Sequence, residues 1–434
     1  MPIGVGTSII GDETRDMNRR RKWFYALIAI AIVLYMVAWV VFSSMYQPNI
    51  TFYSYYVVNY EQGFVRRGLA GEILDLFPAD FYFTGLLILR WLVPAIFVAS
   101  LGAVAWTVGF GAGRSERRLM LMLLIPVLPF GFVRAVAMPT PDLLGGAALA
   151  AFAVFVASVK RDRSLLIASA VYGFTIGLLT LVHEAVPLLL SLGAIMAIVA
   201  LAAACSTVIK RISVAIAVLP GLMVVLAILL TGNRDVSPQC DRLPHAMLDW
   251  PIKLTMGQIL RGEHAYTDYH DWICRNFIVP FDSNSTLAHA MKIYALVGAA
   301  PWIASTILGV AMVLGTILII RLVSAVPLRR FSAILRGEPW AVAFGIALLI
   351  PIFVTAADWI RWWVAIAFDV GIVYILYASR QPQSVEPTNR RTRAGFAVAI
   401  VLLALFPTGS IANLGLASQV WDVTDESGPQ TAGP

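Results

Sequence analysis

Long apolar runs separated by short polar turns repeat along almost the whole chain. They cover residues 23–45, 91–110, 119–137, 143–159, 165–182, 186–205, 212–231, 296–320, 339–357, 363–379 and 394–413. As a helix, each is about long enough to cross a hydrocarbon core of ~30 Å. Inside lipid a spanning segment must satisfy its own backbone hydrogen bonds, so runs of this length predict α-helices. The expected fold is all-α: a polytopic membrane protein with about eleven transmembrane helices over residues 23–413. Residues 1–22 form a basic N-terminal segment. Residues 414–434 are rich in Gly, Pro, Ser, Thr, Asp and Glu and predict a disordered tail.

Composition supports this reading. Hydrophobic residues make up 59% of the 434 residues, only 13% are charged, and the mean hydropathy is +0.80. A soluble domain carries about 25% charged residues. The net charge of +7 does not point to nucleic acid, because the cations sit in short runs between spans. Such runs orient a membrane protein with its basic loops inside. Arg15 to Lys22, Arg114/Arg117/Arg118, Lys160/Arg161/Arg163, Lys210/Arg211, Arg321 to Arg336 and Arg380 to Arg393 all fall on one side when eleven spans are threaded. That predicts an N-terminus inside and a C-terminus outside. The first run, Trp23 to about Met45, is longer than a signal-peptide core and lacks a small-residue cleavage site, so it reads as a retained span.

Two outer loops stand out, at about 46–90 and 232–295. Residues 72–90 alternate apolar with acidic and end at Arg90, which predicts a helix lying along the interface. The alternative is a second span beginning near Tyr82, with Arg90 snorkelling outward. The stretch Ala246–Ile252 reads as a short interfacial helix over the membrane mouth. Cys240 and Cys274 share the larger loop, where an oxidising compartment allows a disulfide, with two free thiols as the alternative. Cys205 reads as a buried thiol.

Candidate chemistry collects on the outer side. Arg66 and Arg67 follow the first span, against the usual charge bias, with Gly63 and Gly68 allowing close backbone approach. They suit a phosphate or diphosphate, or else snorkel to headgroups. Glu61 is either a general base or an ion-pair partner of those arginines. Arg134 and Asp142 flank Pro139 and Pro141 at a span end; a cation inside an apolar span usually faces a cavity or a partner. His183-Glu184 interrupts an apolar stretch and reads as a proton relay or a capped hinge. Asp358 and Arg361 stand at i, i+3, the spacing of a simple ion pair, and the neighbouring tryptophans fit either a sugar-stacking surface or an aromatic belt. His264, His270 and Asp271 have a spacing that could hold a metal, but without further ligands they read as part of a surface loop. The zinc-protease pattern is missing, since Pro187 stands where its second His would be. No metal and no cofactor are expected.

The phrase Gly63-Phe64-Val65-Arg66-Arg67-Gly68-Leu69, with His183-Glu184 and Asp358-Trp359-Ile360-Arg361-Trp362, resembles a set of bacterial envelope proteins. The outer-loop architecture resembles the C-type glycosyltransferase superfamily and its O-antigen polymerase and ligase relatives. That resemblance implies a multi-pass protein of the bacterial plasma (inner) membrane. It would transfer a sugar at the extracytoplasmic face from a polyprenyl-phosphate or -diphosphate donor to a glycan acceptor. Its partners would be these and membrane lipids, with no nucleic acid. Metal-dependent members carry an Asp-Asp or Asp-x-Asp motif in an outer loop, and none lies near Glu61. The resemblance is therefore to the metal-independent, ligase-like route. It implies that Arg66, Arg67 and Arg134 hold phosphate, with Glu61 as base or, failing that, His183-Glu184. Asp142, Asp358 and Arg361 would complete the binding site. Two other readings remain: a transporter or flippase of a lipid-linked anion, which the nearly uncharged mid-span regions oppose, and a non-catalytic envelope-assembly protein.

Overall fold

The computed structural model describes residues 19–407, apart from 47–48, 112, 233–234, 251–253, 255–256, 259–260, 279–290, 292–294, 296–297 and 356–357. The expectations for residues 1–18 and for the tail lie outside the described residues. Among the described residues the chain is all-α apart from one two-stranded hairpin.

Among the described residues, seven helices are long and apolar enough to cross a membrane. They are Arg19–Met45, Ala79–Phe110, Glu116–Ala137, Asp162–Val182, Thr207–Thr231, Ala299–Ser324 and Trp359–Ser379. The bent pair Leu328–Leu335 and Pro339–Thr355, which turns by 93°, would make eight. The described part of each of the eleven apolar runs lies largely on helix, and what separates the others is length. Asp142–Ser158 and Val186–Leu201 have 17 and 16 residues, about 24–26 Å at 1.5 Å per residue. Val186–Leu201 is buried on every side except at Leu188. A helix that is apolar all round and enclosed by others does not face lipid and need not match its thickness. The outer helices differ: Leu27, Ile30 and Leu34, or Met223, Leu226 and Leu230, lie exposed on the bundle surface, as a lipid-facing stripe requires.

Local signals set the helix ends. Ser115 caps the helix that starts at Glu116 by accepting from the Arg118 N–H at 3.2 Å. Ser206 and Asn389 cap theirs in the same way. Arg117 Nη1 donates to Val323 O at 2.9 Å and Arg118 Nε donates to Ser379 O at 2.7 Å. Both acceptors lie in the last turn of a helix, where carbonyls lack internal partners and a cation is favoured. Tyr25 and Arg21 of the first helix and Arg393 of the last meet at Glu116. The basic segments of five helices thus gather at one end of the bundle.

The opposite end carries a separate hydrophobic cluster. Ile50, Tyr53, Tyr56, Val65 and Leu74 of the first long loop pack with Trp250, Tyr269, Trp272 and Ile278 of the second. This cap is stapled by Cys240–Cys274, whose Cα atoms are 5.8 Å apart. Cys205 is a free, buried cysteine in the turn between Val186–Leu201 and Thr207–Thr231.

Three expectations change here. Residues 72–90 do not form one interfacial helix. A short helix, Gly68–Leu74, ends there, and a continuous helix begins at Tyr82. Pro78 stands between them, in an extended conformation that stops helix propagation. Nor does Arg90 snorkel outward. It is buried and its Nη2 donates to Ser43 O and Ser43 Oγ of the first helix, both at 3.1 Å, with Trp91 beneath its guanidinium. The stretch from Ala246 is not helical either. Met247–Asp249 is a strand paired antiparallel with Tyr266–Asp268. A partner strand lay within reach and supplied the backbone bonds that a three-residue helix cannot make.

Candidate functional site

Four separate segments deliver charged side chains to the floor of the cap. The loop after the first span brings Arg66 and Arg67. Arg67 has a left-handed backbone, φ 65°, and caps the helix Gly68–Leu74. That conformation is uncommon outside Gly, Asn and Asp, so the surroundings must hold it. They do so from two sides. Gly68 lies so close under the Tyr60 ring that a Cβ would sit 2.2 Å from it, and Gly71 donates its N–H to Val58 O at 3.1 Å. The Arg67 fork then meets Glu184 bidentately, Nε to Oε2 and Nη2 to Oε1, both at 2.8 Å. Tyr55 and Phe277 face the same guanidinium at 5.4 and 6.0 Å from their ring centres.

Glu184 lies in the break between the helices Asp162–Val182 and Val186–Leu201. Its neighbour His183 ends the first of these in an extended conformation, is 1% exposed and stacks at 5.6 Å on Tyr55. The Ala185 N–H donates to His183 Nδ1 at 3.3 Å, which fixes a neutral ring with its proton on Nε2. Burial, aided by the Arg67 charge, pushes the imidazole down to about 4. Burial alone would raise the Glu184 carboxyl, but the Arg67 guanidinium holds it well below the usual carboxylate range.

Two more segments complete the group. Arg361, one turn into the helix Trp359–Ser379, pairs with Asp358 at 3.2 Å and donates from Nη1 to the Tyr55 hydroxyl at 2.8 Å. Arg134 and Asp142 stand across the Pro139–Pro141 turn with 3.7 Å between Nη2 and Oδ2, longer than a hydrogen bond. Asp142 begins its helix, where the dipole favours an acid. Arg134, Asp142 and Arg361 line one wall of a cavity of about 30 Å³; Phe97, Phe130 and Phe368 line the other. That volume holds a water or two and no more.

The group is crowded yet incompletely bonded. Arg134 Nη1, Asp142 Oδ1 and His183 Nε2 are buried with no hydrogen-bond partner among the described residues. Each such group costs about 1–3 kcal/mol, and clustered exceptions of this kind need an explanation such as a water or ligand.

Of the residues singled out in the sequence, Arg67, Arg134, Asp142, His183, Glu184, Asp358 and Arg361 meet here. Arg66 lies at the edge, within the field of Glu184. Glu61 does not join them. It is exposed on the cap and pairs with Arg242 of the second long loop, because the turn at Gly63 (φ 94°) separates it from the arginines. One participant, Tyr55, and one buried acid outside the cluster, Asp369, escaped the sequence reading. Tyr55 links Arg361, His183 and Arg67 but sits in an ordinary aromatic run. Asp369 lies mid-helix in Trp359–Ser379, 0% exposed, with Oδ2 accepting the Gly193 N–H at 3.0 Å and Oδ1 unbonded among the described residues. Its signal was plain: an acid within an apolar span is a functional candidate by default.

Comparison with known proteins gives a family and relatives. The model of the family described as "Uncharacterised membrane protein Rv1490" matches residues 25–404. The chain is 39% identical over 420 residues to "Uncharacterized protein Rv1490" of Mycobacterium tuberculosis (strain H37Rv), covering 95% of this chain and 96% of that one. It is similar to the same degree to "Uncharacterized protein Mb1527" of Mycobacterium bovis. No solved structure matches.

Proposed function

The chain belongs to this family of membrane proteins, and from its own residues we propose that the cluster under the cap binds the phosphate or diphosphate of a lipid-linked sugar and transfers the sugar to a hydroxyl acceptor. The single observation that carries this is the gathering of Arg67, Arg134 and Arg361 from three segments: Arg67 and Arg361 meet at Tyr55, and Arg134 and Arg361 line a small cavity beside polar atoms unbonded among the described residues. We read the cap as extracytoplasmic, since the basic segments gather at the other end. Eleven spans, counting the four shorter or bent segments, then place the N-terminus inside, and the membrane is the bacterial plasma membrane.

Each of these arginines faces a carboxylate in the resting arrangement, so an incoming anion must compete. A diphosphate that takes the Arg67 fork releases Glu184. The freed carboxylate, buried and stripped of its counter-charge, becomes a proton acceptor beside His183. The acceptor hydroxyl gives its proton to Glu184 while its oxygen bonds to the sugar carbon. The bond from that carbon to the phosphate oxygen breaks, and the arginines stabilise the departing negative charge. The cavity is far too small for this ligand as it stands, so binding requires the cap to lift.

Alanine at Arg67 and at Arg134 tests the reading. Lipid-linked substrate should persist and glycan product should fall at least 100-fold per unit of folded protein in the membrane. Full product in both variants overturns it.

A second reading, transport of a lipid-linked anion, gains support from Asp369, a mid-span carboxyl that can carry a coupling proton. Under that reading Asp369→Asn abolishes transbilayer movement. Under the transferase reading Asp369→Asn leaves product formation intact.

A further inference from the structure

We propose that the cap holds one divalent transition-metal ion, of the zinc class, between His245, Asp268, His270 and Asp271. This site is independent of the phosphate reading, since none of its residues belongs to that cluster.

The strand pairing builds it. Met247 faces Asp268, and Tyr269 donates its N–H to Ala246 O at 2.8 Å. Continuing that antiparallel register sets His245 opposite His270, two residues beyond Asp268 on the same face. The two imidazoles lie 4.0 Å apart between centroids, tilted by 30°. Asp268 caps the short helix Tyr269–Ile273 by accepting the Asp271 N–H at 3.0 Å, which turns Asp271 back toward the rings. One candidate donor atom from each of the four residues lies within 4.8 Å of the others. Donors around one tetrahedral ion stand about 3.3–3.6 Å apart when each is about 2.0–2.2 Å from it, so side-chain rotations that draw the four inward by about 1 Å complete the shell. The Cys240–Cys274 bridge ties both flanks of the site together.

The donor chemistry points the same way. Asp268 and Asp271 bring two carboxylates to one place, and a divalent ion balances that pair. Two imidazoles with two carboxylates is a borderline donor set that suits zinc. Each ring's Nδ1 already lies about hydrogen-bonding distance from an aspartate, 3.1 Å for His245 and 3.0 Å for His270. Sequence spacing hid the group, because His245 is brought to Asp268 only by the hairpin. His264, the histidine whose spacing drew attention, lies apart and faces Asp249 at 3.5 Å.

The test uses the full chain, purified in detergent with its disulfide intact and stripped with a chelator. Zinc is titrated against a chromophoric competitor at pH 7.5. One equivalent should bind per chain, cobalt should give the visible bands of a tetrahedral nitrogen–oxygen site, and His264→Ala should change nothing. His245→Ala and His270→Ala should each weaken zinc at least tenfold, and the double variant should abolish it. All these positions are at least partly exposed, and an unchanged metal-free melting temperature shows that each variant folds. Absence of stoichiometric zinc, an unchanged affinity in the double variant, or an equal loss in His264→Ala overturns the proposal.

Discussion

Arg67 and Glu184 give the sharpest residue-scale expectation. Neither side chain is more than a quarter exposed, and breaking a largely buried pair by removing one partner costs on the order of 3 kcal/mol. Arg67→Ala and Glu184→Gln should each destabilise the protein, and the double variant should lose less than the two together. A double-mutant cycle on thermal unfolding in detergent checks this; additive losses would show that the fork is not coupled. His183 gives a pH expectation. Its folded value, about 4, lies below the usual 6.5, because burial disfavours the charged ring. The unfolded chain therefore binds the extra proton first. The contribution of the neutral ring is complete above about pH 6.5 and is lost as pH falls from there toward 4. Glu184, held low by Arg67, loses its contribution in the same direction at still lower pH. Melting temperature should drop across that window, and His183→Asn should flatten the drop. At this scale the sequence marked most of the charged group, since an ion in an apolar run has few bland explanations. It failed for Tyr55, because an aromatic hydroxyl in the run Phe52–Tyr56 differs from its neighbours only by what it touches. It failed for Glu61 because adjacency along the chain does not survive the turn at Gly63.

At the scale of elements, two helices meet where one of them lacks a bond. Pro220 has no N–H for Ile216 O, four residues earlier in Thr207–Thr231. Gly173 of the facing helix lies against that same carbonyl, so closely that a Cβ would stand 2.2 Å from the oxygen. Small residues at such crossings let backbones approach in lipid. Gly173→Ala should separate the pair and cost about 1–3 kcal/mol, whereas Gly102→Ala, with open space around it, should cost little. Thermal unfolding of both variants decides. Helix type was legible here because apolar runs near twenty residues have one stable form in lipid. Length was harder to read. Val186–Leu201 looks like any other run, yet its burial on nearly all sides removes the need to span ~30 Å. The hairpin Met247–Asp249 with Tyr266–Asp268 was hidden because its two strands are three residues each and join segments far apart in sequence.

Across the whole molecule, one core fills the spanning bundle and another fills the cap. The disulfide crosses only the second. Cys240→Ser with Cys274→Ser should therefore loosen the cap by about 2–4 kcal/mol while the bundle stays assembled. Hydrogen exchange should rise in Trp250–Ile278 and remain low in Val186–Leu201; a uniform rise would mean that the two cores are one cooperative unit. Another tie that spans elements is Arg90, held by Ser43 of the first helix. It bears on how the protein is made. A lone arginine at a helix centre opposes membrane insertion by about 2.5–3.5 kcal/mol, so the segment Ala79–Phe110 enters lipid more easily beside a neighbour that already offers oxygens to that cation. Synthesis places the first helix there in time. The ribosome thus delivers a hairpin rather than two independent segments, and the second half of that hairpin inherits its competence from the first.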